Sequence, residues 1–85
     1  MILKVFAVRD AAADVFGKPY FVPTQGVAIR GFTDEVNRKA EDNTLNKHAK
    51  DFSLYELGEY DDSYGGFNMH DQPKLLINAD SCLVE

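Results

Sequence analysis

Thr24-Gln25-Gly26-Val27-Ala28-Ile29-Arg30-Gly31-Phe32-Thr33-Asp34-Glu35-Val36-Asn37-Arg38-Lys39-Ala40 is the stretch on which the fold turns. Ala28, Ile29, Phe32, Val36 and Ala40 follow at steps of one, three, four and four, so a helix gathers them into a single apolar stripe. Arg30, Asp34 and Arg38 stand four apart on the other side, and Glu35 precedes Lys39 in the favourable order for an ion pair. Thr24 is the N-cap, because its hydroxyl can accept from an orphaned N–H of the first turn. Gly26 and Gly31 each weaken the helix by up to about 1 kcal/mol relative to Ala. Close packing is one reason for a glycine at 31, although the position alone does not require it. One helix from Thr24 to Ala40 is therefore expected to lay Ile29, Phe32 and Val36 on a partner layer.

The flanking runs supply that layer. Residues 2–9 (Ile-Leu-Lys-Val-Phe-Ala-Val-Arg) are apolar on both faces, which suits a strand central in its sheet. Phe16-Gly17-Lys18-Pro19 reads as a turn, and Tyr20-Phe21-Val22 as a second strand stopped by Pro23, the two strands forming an irregular hairpin. Residues 41–51 are polar and without period, and read as a surface loop. Phe52 to Tyr60 is a third strand, with Gly58 marking a bulge. Asp61 to Gly66 is a turn, and Phe67-Asn68-Met69 returns as a fourth strand. After Gln72-Pro73, the run from Lys74 to Asp80 suits either a strand or a helical end. The expected fold class is α+β: a small, mostly antiparallel sheet with one main helix packed on it, in the order β-β-α-β-β, within one domain of residues 1–85.

Composition narrows the function. The chain is 45% hydrophobic and 27% charged, which suits a globular domain rather than a disordered one. Its net charge of −5 excludes a globally basic nucleic-acid coat or a polybasic membrane binder. The charge is unevenly spread: residues 1–40 hold six basic and four acidic groups, whereas residues 41–85 hold three basic and ten acidic, giving halves of +2 and −7. The single cysteine, Cys82, excludes an intramolecular disulfide framework and reads as a packed small hydrophobe. Apolar runs are too short to span a bilayer, and the N-terminal run has no small-residue cleavage site, so neither membrane span nor signal peptide is expected. No nucleophile elbow, Walker A loop or dinucleotide fingerprint is present, so neither an enzyme nor a cofactor is expected. Asp61-Asp62, with His70-Asp71 nearby, raises the question of a divalent metal. Their spacing fails the calcium-loop pattern, and aspartates cap turns through their own backbone, so no metal is expected. His48, in a polar stretch, reads as solvated.

Binding remains. Single strands of nucleic acid are held by aromatic faces interleaved with cations. Lys18-Pro19-Tyr20-Phe21, with Lys4, Phe6 and Arg9 on the preceding strand, has that mixture. Tyr55, Tyr60, Tyr64 and Phe67 are a second aromatic set, but they lie among acids that repel phosphate. For both sets ordinary core and sheet packing is the favoured reading, more strongly for the second. The residues alone describe a small α+β binding or interaction domain.

Three segments carry a family resemblance: Val8-Arg9-Asp10 through Pro19-Tyr20-Phe21-Val22-Pro23-Thr24; the block from Ala28-Ile29-Arg30 through Phe32-Thr33-Asp34 to Val36-Asn37; and Asp51-Phe52-Ser53-Leu54-Tyr55-Glu56-Leu57-Gly58-Glu59-Tyr60-Asp61-Asp62. Together, over roughly residues 5–67, the chain resembles the small non-structural protein of gokushovirus-type microviruses, tailless phages with single-stranded DNA genomes. The resemblance implies a DNA-binding protein of the host bacterial cytoplasm, absent from the mature particle. It also implies a role in the switch from duplex replication to single-strand synthesis. Lys4, Arg9, Lys18, Tyr20 and Arg30 are the residues expected to contact DNA, although Arg30 can equally well clamp Asp34. A homo-oligomer is expected, since one module this small offers little contact area. The alternative is an acidic interaction or assembly accessory module that binds a phage or host protein.

Overall fold

Strand β1 (Ile2–Asp10) lies inside the sheet, as its two apolar faces predict. One of its edges carries two short strands in succession, β3 (Tyr20–Val22) against Lys4–Phe6 and β2 (Val15–Phe16) against Arg9–Asp10. Its other edge pairs throughout with β4 (Phe52–Asp61), and β5 (Gly66–Asn78) follows beyond β4. All pairings are antiparallel. Helix α1 (Gln25–Asn37) crosses one face, so the chain has the α+β architecture expected, an antiparallel sheet with one main helix. These features come from a computed structural model that describes residues 1–84.

Thr24 caps α1 as expected, its hydroxyl accepting from the Val27 N–H at 3.2 Å. Ala28, Phe32 and Val36 are buried, with Ile29 half-buried beside them. They meet Phe6 and Leu54 of the sheet, both fully buried, and Ala49, Ala79 and Cys82 from the segments flanking β4 and β5. A Cβ at Gly31 would meet nothing within 4 Å, so close packing is not the reason for that glycine.

Three sequence expectations need correction. The helix ends at Asn37 rather than Ala40, and residues 41–51 are no irregular loop: they form a short helix α2 (Thr44–Lys47) and a single 3₁₀ turn (Ala49–Asp51). Both differences have one cause. The amide of Asn43 donates to the carbonyls of Glu35 and Arg38, each at 2.7 Å, and that of Asn46 donates to Val36 O at 2.8 Å. The polar segment is ordered because its asparagines donate to carbonyls at the helix C-terminus, where Glu35 O also accepts from the Arg38 N–H. Asn37 adds a clamp on the chain's end, donating to Cys82 O at 2.9 Å and accepting from Val84 N–H at 2.8 Å.

The third correction concerns β5, which runs unbroken from Gly66 to Asn78 through Pro73. Against β4 its register jumps from Lys74 opposite Glu56 to Met69 opposite Gly58, so His70–Pro73 bulge out and Pro73 owes the ladder no hydrogen bond. Gly58 marks a bulge, as expected: Val5 faces it while Phe6 faces Glu56, leaving Leu57 as the extra residue. A side chain at 58 would come within 2.6 Å of Asn68 O and Met69 Cα, so only glycine lets β5 approach there.

Candidate functional site

Side chains alternate across the sheet, and the register sorts them onto two unlike faces. Phe6, Val8, Tyr20, Phe52 and Leu54 belong to the side covered by α1 and the short helical segments. The opposite side carries Val5, Ala7 and Arg9 of β1, Phe16 and Phe21 of the short strands, and Tyr55, Tyr60, Phe67, Met69 and Leu75 of β4 and β5. Among the described residues, no helix packs on this open face. The second apolar face of β1 is roofed instead by aromatic side chains: Val5 pairs with Phe21, and Ala7 with Tyr55.

Those rings form two clusters. Phe21, Tyr60 and Phe67 meet with centroids 4.7 to 6.2 Å apart, and the three come from β3, β4 and β5. Phe16 stands edge-on to Tyr55 at 5.3 Å, with the Arg9 guanidinium 5.9 Å from the Phe16 centroid. Phe16 and Phe21 keep 41% and 42% of their surface exposed and Phe67 58%, with Met69 and Leu75 near half. Two groups of partly exposed rings thus lie on one face of a small domain.

The five residues singled out for DNA contact do not share one surface. Arg9 stands on the open face and is paired with Asp14. Lys18 is exposed on the link from β2 to β3. Lys4 lies on the opposite side of β1, with Nζ 3.2 Å from Glu59 and 4.0 Å from Glu56. Tyr20 is half-buried against Phe6 at 6.1 Å, and burial pushes its phenol pKa up. It lines an apolar groove of about 380 Å³ between α1 and the β1–β3 edge, with Val8, Val22, Val27, Phe32 and Leu45. Arg30 is exposed on α1. The aromatic surface thus comes from Phe16 and Phe21, with Tyr55, Tyr60 and Phe67, rather than from Tyr20. Strand parity was the signal that could have found it, since adjacent residues 20 and 21 must face opposite ways.

Glu56 is a second surprise, because an acid in a charged half reads as surface. It is 3% exposed. Its carboxylate accepts from Gln25 Nε2 at 2.9 Å and contacts His70 Nε2 at 2.6 Å, so it ties the first residue of α1 and the β5 bulge to the sheet. Burial pushes the Glu56 carboxyl up, but hydrogen bonds from Gln25 and His70 and the Lys4 charge outweigh it and hold its pKa below the usual value.

The Asp61-Asp62 turn is built on its own backbone: Asp61 Oδ1 accepts from the Ser63 N–H at 3.0 Å and the Ser63 hydroxyl at 2.6 Å. These two bonds depress the Asp61 pKa. Cys82 is buried and accepts from the Thr33 hydroxyl at 3.5 Å. No helix of the described residues is long and apolar enough to cross a membrane. A family model described as phage ORF5 protein matches residues 3–82, nearly the whole chain. No curated protein and no solved structure matches it.

Proposed function

The chain belongs to the phage ORF5 protein family, and we propose that it is a non-catalytic protein that binds single-stranded DNA on the open face of its sheet. The observation that carries this reading is the set of rings from four strands, the exposed Phe16, Phe21 and Phe67 with the half-buried Tyr55 and Tyr60. Unpaired bases stack on such rings whatever their identity, each contributing roughly 1–3 kcal/mol, whereas a duplex keeps its bases inside. The sheet edges are guarded by comparison: Pro19 and Pro23 bracket β3, and Pro73 lies in a bulge of β5. Association is therefore directed to the face.

The sequence resemblance to gokushovirus-type microviruses supports a place in the host bacterial cytoplasm and a part in controlling genome replication and single-strand synthesis. Several copies acting together on one strand add avidity, in keeping with a homo-oligomer. A second reading is favoured by the shortage of free cations on this face, where Arg9 is already paired, and by the net charge of −5. It makes the rings the seat of a phage or host protein. Fluorescence anisotropy on labelled single- and double-stranded oligonucleotides, at about 50 and 200 mM salt, separates the two. Single strands should bind more tightly than duplex, with log affinity falling by about 0.7 per contacted phosphate for each tenfold rise in salt. Absence of binding to either form at the lower salt would hand first place to the protein partner.

A further inference from the structure

We infer that Arg9, Phe16 and Tyr55 form one nucleotide-sized position on the open face, guanidinium for a phosphate and rings for its base, and that Asp14 holds it closed in the free protein by occupying the guanidinium. The inference rests on the single-strand reading above and specifies how that face is regulated.

Arg9 and Phe16 are direct partners across β1 and β2, which places the guanidinium 5.9 Å from the ring centroid. Tyr55 meets the edge of the same ring from β4 at 5.3 Å and 79°. Cation, exposed ring and flanking ring are thus fixed by sheet register rather than by loop positions. A phosphate and the base attached to it require that pairing of groups within one nucleotide's reach.

The guanidinium is not idle. It donates to the carboxylate of Asp14, whose side chain is 84% exposed. The turn between β1 and β2 delivers this carboxylate. Asp10 Oδ1 accepts from the N–H groups of Ala12 and Ala13 at 3.0 and 3.3 Å, and Asp14 itself has a φ of 58°, in the left-handed region. Asp14 meets the guanidinium through a single contact, Nη2 to Oδ1, and a phosphate oxygen competes with it for that donor. An ion pair this exposed is worth little, and a phosphate brought in by a stacked base displaces it. Asp14 then returns to water. The closed pair favours ligands that offer both base and phosphate over free anions, which gain no stacking when they open it.

Asp14→Asn is the test, because asparagine tolerates the left-handed backbone and carries no charge. Asp14→Gly suits the same φ and serves as the second variant. With a labelled oligothymidylate of about sixteen nucleotides as probe, each variant should tighten binding by about two- to fivefold with no loss of thermal stability. In an Arg9→Gln background the gain should disappear. An equal gain with and without Arg9 would reduce Asp14 to general repulsion of phosphate and overturn the inference. Unchanged affinity in both variants would overturn it while leaving single-strand binding standing. A wild-type protein that binds no oligothymidylate would overturn both.

Discussion

The two faces of this sheet carry similar amounts of apolar material and meet opposite fates. On the helix side Phe6 and Leu54 are fully buried under Phe32, Val36 and the short helical segments. On the other side Phe16 lies against Tyr55 and Phe21 against Phe67, and all three phenylalanines otherwise face solvent. The difference teaches that a strand apolar on both sides marks only a central position in the sheet. Whether the chain covers its second face itself depends on how many helices it has, and the described residues form one of more than a single turn or so.

The largest expected effect lies on the covered face. Phe32→Ala removes a ring from the middle of the core and should cost on the order of 3–5 kcal/mol, enough to unfold so small a domain. Chemical denaturation checks it, and an unchanged midpoint would mean that α1 does not hold the core. Glu56 marks where that face turns polar, and its effect is smaller. Glu56→Gln, losing charged hydrogen bonds to Gln25 and His70, should cost about 1–3 kcal/mol at neutral pH. The pKa of Glu56 is depressed in the folded state, so its contribution is complete above the unfolded carboxyl value of about 4.5 and is lost as pH falls through the lower folded value. Melting curves from pH 7 to 3 should therefore converge for wild type and Glu56→Gln at the acid end, and curves that stay parallel would remove Glu56 from the account. The open face should behave in reverse. Phe67→Ala gives up only its aromatic contacts, about 0.5–1.5 kcal/mol of stability, yet should weaken single-strand binding by roughly 1–3 kcal/mol. A large loss of stability with intact binding would make the rings a core and not a site.

Much of the fold was legible because it rests on local period. The apolar stripe of α1, its Thr24 cap, the central place of β1 and the bulge at Gly58 all follow from spacing and residue type. What failed was tertiary. Residues 41–51 look like a loop until Asn43 and Asn46 find the carbonyls of α1, and Pro73 looks like a strand break until a bulge excuses its missing N–H. The candidate site was half legible. Arg9 and the residue type wanted beside it were recognisable, but Tyr20 was named where its neighbour Phe21 faces the open side, a difference of one residue in strand parity. The cluster of Phe21, Tyr60 and Phe67 joins residues more than forty positions apart, which only the register of three strands reveals.

Mapping of backbone amide NMR shifts during titration with oligothymidylate tests most directly whether the uncovered face is the one that meets DNA. The largest shifts are expected on β1, β2, β3 and the ring-bearing positions of β4 and β5, around Arg9, Phe16, Phe21, Tyr55 and Phe67, while the exposed side of α1 around Arg30 and Asp34 stays still. Shifts concentrated on α1, or none at saturating oligonucleotide, would contradict it.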